Sequence, residues 1–183
     1  FYEISNNLSN VKLLVVGDGP YLDELKNMAS KYKIEDKVLF TGKVPITKVQ
    51  LYYQLISVFV TFSVTETQGL TVLEAMASSI PVLCINDPSF IDSVVDKKTG
   101  FIFNNEKEYI DDVFKLYNDK VLYNKFSENS YKYSLKHSSK EFGNNVYKVY
   151  IDTIKKYNQN KIINNIKDVI NPSKIIDIVT KEE

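Results

Sequence analysis

Uniformly apolar runs alternate with segments of helical periodicity through about the first hundred residues of the chain. Strands covered on both faces by helices are uniformly apolar, and this alternation is typical of a parallel sheet linked by crossover helices. The pattern therefore predicts the α/β class, with an open parallel sheet and helices on both faces. The predicted strands span residues 11–16, 38–41, 58–62, 81–85 and 101–103, and the predicted helices span residues 21–33, 47–55, 71–78 and 90–95.

The pattern after Phe103 predicts helices only. Tyr109, Val113 and Tyr117 recur at helical spacing, and the same spacing returns further along the chain at Val146, Tyr150, Ile154 and Tyr157. Apolar and aromatic stripes of this kind are typical of packed helix faces. We therefore expect two or three helices after the sheet, with these side chains in the core.

The length of 183 residues suits one domain with a packed core. We assign residues 1–158 to this domain and residues 159–183 to a tail. From Gln159 the chain becomes rich in Asn, Lys and Ile, and Asn171-Pro172 divides it into two short amphipathic pieces. We expect part of residues 158–183 to be mobile or to pack on a neighbouring molecule.

Charge and cysteine content narrow the function classes. The chain carries 23 basic and 23 acidic side chains, so it lacks the positive field of a nucleic-acid-binding protein. One cysteine, Cys84, excludes an internal disulfide and fits the cytosol. No apolar run reaches the roughly 20 residues needed to span a bilayer. The chain does not begin with Met or with a signal-peptide pattern, so we expect that upstream sequence has been removed.

Gly17-Asp18-Gly19-Pro20 lies between a predicted strand and a predicted helix. The glycines permit a tight turn, and its backbone amides can face an anion. A dinucleotide fingerprint requires a third glycine where Leu22 stands, so the spacing argues against a nicotinamide cofactor. The simpler interpretation is a strand-to-helix turn with Pro20 near the first helical position.

The segment of residues 63–77 contains the largest group of candidate catalytic and ligand-binding residues. Glu66 lies in a predicted loop and Glu74 in the first turn of the following helix, so both carboxylates and the free amides of the helix start meet at the carboxyl end of a strand. Ligands of open parallel sheets bind at that edge. A structural alternative is that Thr71 and Glu74 form a capping box, which explains Glu74 but not Glu66.

These motifs, in this order, resemble the retaining glycosyltransferases of the GT-B fold, specifically glycosyltransferase family 4, also called group 1. Two glutamates with seven residues between them mark that family, and Glu66 and Glu74 match. Ser79 stands where the family usually has glycine at a helix-end turn, and Asp92 stands near a usual glutamate. The other matching segments are residues 17–20, 40–44, 73–78 and 99–101, and the form of residues 66–71 is similar to that of bacterial diacylglycerol glucosyltransferases.

The resemblance implies a Rossmann-like donor-binding domain, the carboxyl-terminal half of a GT-B hexosyltransferase. UDP-glucose is the expected donor, transferred with retention to an acceptor such as diacylglycerol or another glycolipid. A missing amino-terminal domain would hold the acceptor and the catalytic histidine, and the tail would brace that domain. The protein would be cytoplasmic or peripheral on the inner face of the membrane through that domain, and this chain alone would be inactive.

The resemblance also implies roles for individual residues. Glu66 would be catalytic and face the sugar, Glu74 would accept hydrogen bonds from the ribose, and Val44 would meet the base through its backbone. No metal or other cofactor is implied, since relatives act without a divalent ion and the chain has no Asp-x-Asp pair. The positive end of the helix beginning near Thr71 would stabilise the departing diphosphate. The full donor-binding set is Gly17, Gly19, Val44, Gln68, Gly69, Leu70, Thr71 and Glu74.

Two further interpretations stay open at this point. One is a non-catalytic module that binds a sugar nucleotide or serves as a scaffold, and the other is a receiver-type signalling domain. A receiver needs an acidic cluster at its strand ends, which Asp18 alone does not supply. We interpret His137, the single histidine, as a solvated surface residue and Cys84 as a small buried apolar group.

Overall fold

The structure is a computed structural model that describes residues 1–65, 69–90 and 92–169, without the side chains of residues 166–169. The chain divides into two compact units, Phe1–His137 and Ser138–Glu183. The predicted domain boundary at residue 158 falls inside a helix of the second unit. The predictions for Asn171-Pro172 and for the mobility of the last residues lie outside the described part of the chain.

Parallel strands and helices alternate along the first unit, as the sequence pattern predicts. Two 3₁₀ turns, Glu35–Lys37 and Pro88–Phe90, interrupt the connections. The strands are β1 (Leu13–Val15), β2 (Val38–Phe40), β3 (Phe59–Thr61), β4 (Val82–Ile85) and β5 (Gly100–Phe103). The helices are α1 (Tyr2–Asn7), α2 (Leu22–Lys31), α3 (Ile46–Tyr53), α4 (Leu70–Ala77), α5 (Glu106–Asn118), α6 (Lys120–Leu135) and, in the second unit, α7 (Ser139–Val169).

All strand pairs are parallel, which confirms the predicted class. β1 pairs with β2, with Leu13 opposite Val38. β4 lies between β3 and β5, so that Val82 is opposite both Phe59 and Gly100. The described strands hydrogen-bond as one two-stranded and one three-stranded sheet, whereas the sequence pattern predicts a single sheet. Each of β1, β2 and β3 is only three residues long, so the ladders that they form are short.

Alternate residues of β4 explain why helices cover both faces of the three-stranded sheet. Val82 and Cys84 pack with Val72, Ala75 and other residues of α4 on one face. Leu83 lies on the opposite face, in a second cluster. Side chains alternate across a strand, so one uniformly apolar segment supplies both cores. The second cluster consists of Ile4, Leu8, Leu83, Phe101, Phe103, Tyr109, Ile110, Leu116 and Phe126.

Cys84 is fully buried in the first of these clusters, which confirms its structural interpretation. Burial, followed by the negative charge of Asp96, raises the pKa of the Cys84 thiol to about 12. Because the thiolate is the reactive form, the thiol at this position is inert near neutral pH.

The prediction of a helix at residues 90–95 is wrong. The chain forms the short 3₁₀ turn Pro88–Phe90 there, and the described residues after it continue as turns. The side chain of Asp87 accepts hydrogen bonds from both the amide and the hydroxyl of Ser89, at 2.9 and 2.6 Å. Such local side-chain bonds compete with helix formation. The short helix α1 was not predicted.

Three helices follow the sheet within the described residues, and the predicted stripe of packed side chains is confirmed only for part of the first of them. Tyr109 and Ile110 of α5 are buried, but Tyr117 is 52% exposed, so the prediction that it is a core residue is wrong. In α7, Tyr150 and Tyr157 are each 65% exposed and Ile154 is 55% exposed, so the prediction that they are core residues is wrong as well. The described part of the second unit is this one helix, with no further element to cover its apolar side chains. None of the helices in the described residues combines the length and the hydropathy of a membrane span.

Candidate functional site

Helix α4 begins just beyond the carboxyl end of β3, after the loop that follows Thr61. The loop starts with local bonds, since the hydroxyl of Thr61 accepts from the amide of Ser63 at 3.2 Å. Its middle part, residues 66–68, lies outside the described residues. The predicted catalytic residue Glu66 and the predicted donor-binding residue Gln68 therefore have no described position.

Gly69 is the residue from which α4 starts. Its backbone is left-handed, with φ 58° and ψ 36°, and its carbonyl oxygen accepts from the amides of Val72 and Leu73 at 3.0 and 3.2 Å. A Cβ atom at this position would lie 3.2 Å from Cδ1 of Phe90 and 3.3 Å from Oγ of Ser93. Both the backbone conformation and the close neighbours therefore favour glycine here.

The amides of Leu70 and Thr71, in the first turn of α4, have no acceptor among the described residues, and no side chain caps the helix. Both residues are exposed. The first amides of a helix carry its positive dipole end and are suited to an anion. Of the predicted donor-binding residues, Gly69, Leu70 and Thr71 thus lie together at one helix start.

Glu74 lies on the same helix but not where the sequence analysis placed it. Because α4 starts at Leu70, Glu74 is the fifth helical residue and belongs to the second turn. Gly69 caps the helix, so the alternative of a capping box between Thr71 and Glu74 is wrong. Instead, the hydroxyl of Tyr53 on α3 donates to Oε2 of Glu74 at 2.9 Å, and Glu74 is exposed.

The turn of Gly17, Asp18 and Gly19 follows β1, as predicted, and the amides of its two glycines have acceptors. The amide of Gly17 donates to the carbonyl of Gly42 at 3.2 Å. The amide of Gly19 donates to Oδ1 of Asp18 at 2.9 Å. In this structure the neighbouring turn and an acidic side chain accept from these two amides, and the expectation that the turn faces an anion stays a prediction.

The same turn lines an open cavity of about 570 Å³ together with Lys43 and Val44. This volume is within the range of about 300–1,000 Å³ found for small-molecule sites. Gly17, Gly19 and Val44 thus share one cavity, as a common ligand would require. The amide of Val44 has no acceptor among the described residues. Lys43, an exposed cation, lines this cavity, although the sequence analysis did not select it.

The end of α4 confirms the expectation for Ser79. This residue adopts a left-handed conformation, φ 62°, immediately after the helix-ending residue Ser78, where glycine is the common choice. The hydroxyl of Ser127 donates to the carbonyl of Ser79 at 2.7 Å and supports the turn. The departure from the family pattern therefore affects the helix end and not the exposed start of α4.

Other polar residues form no competing centre in the described part of the chain. His137 is exposed, as predicted, and its ring contacts Tyr133 with 4.8 Å between the ring centroids. No group of three or more histidine, cysteine, aspartate or glutamate residues is placed to hold a metal ion in the part that the structure describes.

Two residues near α4 could not be selected from the sequence. Tyr53 contacts Glu74 from the end of another helix, and Phe90 contacts Gly69 from a turn more than twenty positions further along the chain. The only sequence signal for Tyr53 is an aromatic residue with a polar tip close to an apolar strand. Neither contact follows from local spacing.

Sequence comparison gives a family and a set of relatives. Residues 1–133 match the profile of the family described as Glycosyl transferases group 1. The alpha-monoglucosyldiacylglycerol synthase of Streptococcus pneumoniae is 33% identical over 154 residues, which cover 84% of this chain and 34% of that protein. The protein of the same name from Acholeplasma laidlawii is 30% identical over 87% of this chain and 40% of its own length. The chain thus spans well under half of either relative.

Structure comparison agrees on the fold. The pneumococcal O-GlcNAc transferase GtfA, solved in complex with UDP and GlcNAc, superimposes with a TM-score of 0.73 at 20% identity, covering 84% of this chain and 31% of that one. At this level of identity the similarity concerns the fold, which is that of the GT-B glycosyltransferases.

Proposed function

The chain belongs to the glycosyl transferases group 1 family, and on this premise we propose that it binds the UDP-glucose donor of a retaining glucosyltransferase whose acceptor is diacylglycerol or a related glycolipid. Two relatives named as alpha-monoglucosyldiacylglycerol synthases support the choice of glucose and of a lipid acceptor. The complex of GtfA with UDP supports the choice of nucleotide.

The observation that carries the proposal is the start of α4. The amides of Leu70 and Thr71 have no acceptor among the described residues, both residues are exposed, and Glu74 follows one turn later on the same helix. Cleavage of the sugar–phosphate bond leaves additional negative charge on the departing diphosphate. Fixed amide donors stabilise such charge without reorganising, and removal of one donor in other enzymes costs about 3 kcal/mol. We assign the diphosphate to these amides.

The remaining roles follow from the order of groups along the donor. Glu74 accepts hydrogen bonds from the ribose hydroxyls, since its carboxylate is exposed and only one of its oxygens has a described partner. The base contacts the cavity of Gly17, Gly19 and Val44, where the free amide of Val44 is a suitable donor to a uracil carbonyl. We also propose that Glu66 is the catalytic carboxylate at the sugar and that Gln68 contributes to donor binding.

Neutralisation of the diphosphate by helix α4 requires no divalent ion, and we propose metal-independent transfer. The sequence has no Asp-x-Asp pair, which would be the expected metal ligand of the other major glycosyltransferase fold. We further propose that an amino-terminal domain of the whole protein holds the acceptor, and that this domain would place the enzyme on the inner face of the membrane.

Titration of UDP and UDP-glucose into the 183-residue chain tests this proposal. We expect binding at millimolar or tighter concentration, and we expect Glu74→Ala to weaken it by about 10- to 100-fold, since hydrogen bonds to a charged group contribute about 1.5–3 kcal/mol. Isothermal titration calorimetry provides the measurement.

Glu35→Ala is the matched control, because Glu35 is an exposed glutamate in the 3₁₀ turn between α2 and β2. It should bind UDP like the unmodified chain. Equal losses in the two variants, or tighter binding of a nicotinamide dinucleotide than of UDP, would contradict the assignment.

A further inference from the structure

Tyr53, the last residue of α3, is held firmly by the hydrophobic core. Its side chain is 8% exposed and packs in the cluster that contains Val72 and Met76 of α4. The ring centroid of Phe59 lies 6.0 Å from that of Tyr53. A buried ring has little freedom to turn away, so the core fixes the position of the Tyr53 hydroxyl.

This fixed hydroxyl holds a carboxylate that would otherwise move freely. It donates to Oε2 of Glu74 at 2.9 Å, whereas Oε1 has no partner among the described residues. Glu74 is exposed and forms no ion pair within the described chain. Burial, and then the hydrogen bond and negative charge of Glu74, raise the pKa of Tyr53, so the hydroxyl remains a protonated donor at neutral pH.

The hydrogen bond between Tyr53 and Glu74 contributes more to ligand binding than to the stability of the fold. Tyr53 of α3 already shares one hydrophobic cluster with Val72 and Met76 of α4. The carboxylate of Glu74 is open to water, which competes for this hydrogen bond and limits what the bond adds to stability. For a ligand, however, a carboxylate already ordered before binding avoids the entropy cost of fixing a long flexible side chain.

We propose that Tyr53 is a positioning residue that orients Glu74 so that its free oxygen, Oε1, accepts from the ribose hydroxyls of the nucleotide, which makes the pair selective for ribose over deoxyribose. This assignment rests on the proposed function, in which Glu74 contacts the ribose. Tyr53 itself acts through Glu74 and touches no part of the donor.

The test compares UDP with 2′,3′-dideoxy-UDP as ligands of the full 183-residue chain and of Tyr53→Phe. The phenylalanine ring keeps the core packing and removes only the hydroxyl. We expect the variant to bind UDP roughly threefold to tenfold more weakly, because Glu74 must then be ordered on binding. Its affinity for dideoxy-UDP should change by less than about twofold, since that ligand offers Glu74 no hydroxyl.

Tyr52→Phe is the matched control, because Tyr52 precedes Tyr53 on the same helix and is half-buried, and its hydroxyl has no hydrogen-bond partner among the described residues. It should leave both affinities unchanged. If Tyr53→Phe weakens the binding of both nucleotides to the same degree, the hydroxyl has only a structural role. This result overturns the positioning role. Retention of the full preference for UDP over dideoxy-UDP also overturns it, although the proposed function stands. An unmodified chain that binds no UDP overturns both.

Discussion

Gly100→Ala is expected to unfold the first compact unit, with a loss of more than about 4 kcal/mol in the free energy of unfolding. A Cβ atom on Gly100 would lie 1.8 Å from the carbonyl oxygen of Val82 and 2.7 Å from its carbonyl carbon. Val82 is the residue opposite Gly100 in the parallel ladder of β4 and β5. To admit the methyl group the two strands must separate, and both hydrophobic clusters extend from β4. Urea unfolding followed by circular dichroism measures the effect.

Gly143→Ala is the matched control for that experiment. Gly143 lies within α7, and a Cβ atom there would meet nothing within 4 Å. Alanine is favoured over glycine in a helix by about 1 kcal/mol, so this variant should unfold at the same or a higher urea concentration. If Gly100→Ala unfolds together with the unmodified chain, the close approach of β5 to β4 is contradicted.

Gly69→Ala is expected to weaken UDP binding by at least about tenfold while the chain remains folded. The left-handed backbone of Gly69 costs an alanine about 1–2 kcal/mol. The added methyl group also presses on Phe90 and Ser93, at 3.2 and 3.3 Å. Either relaxation displaces the amides of Leu70 and Thr71, which follow directly. Calorimetric titration with UDP well below the unfolding temperature measures the affinity.

The control for Gly69→Ala must lose stability without altering α4. Ala29→Gly serves this purpose, since Ala29 is a buried residue within α2 and its replacement by glycine costs about 1 kcal/mol. Ala29→Gly should bind UDP as the unmodified chain does. Undiminished UDP binding by Gly69→Ala would show that the start of α4 does not hold the nucleotide.

Most helices and strands of the first unit were predictable from the local sequence pattern. The predictions that failed did so because of local side-chain hydrogen bonds or because of tertiary packing. All five predicted strands are present, because a uniformly apolar segment such as that of Leu83 and Cys84 must be covered on both faces. The helix at residues 90–95 was predicted from spacing, but the side-chain bonds of Asp87 favour a turn. The stripe of α7 has helical spacing without burial, and spacing alone cannot show whether a partner element exists.

The candidate site was only partly predictable from the sequence, because some of its contacts join residues that lie far apart along the chain. Gly69, Leu70 and Thr71 are contiguous at a strand-to-helix junction, so the pattern places them together. The bond between Tyr53 and Glu74, and the contact of Phe90 with Gly69, join residues about twenty positions apart and require the tertiary fold. The occupied amides of Gly17 and Gly19 depend on Gly42 and on the orientation of Asp18, which the glycine spacing does not reveal.

A crystal structure of the 183-residue chain with UDP tests most directly whether the diphosphate binds at the start of α4. The account predicts phosphate oxygens within about 3.2 Å of the amide nitrogens of Leu70 and Thr71, with the ribose beside Glu74. UDP bound elsewhere on the chain, with both amides still facing solvent, would contradict it.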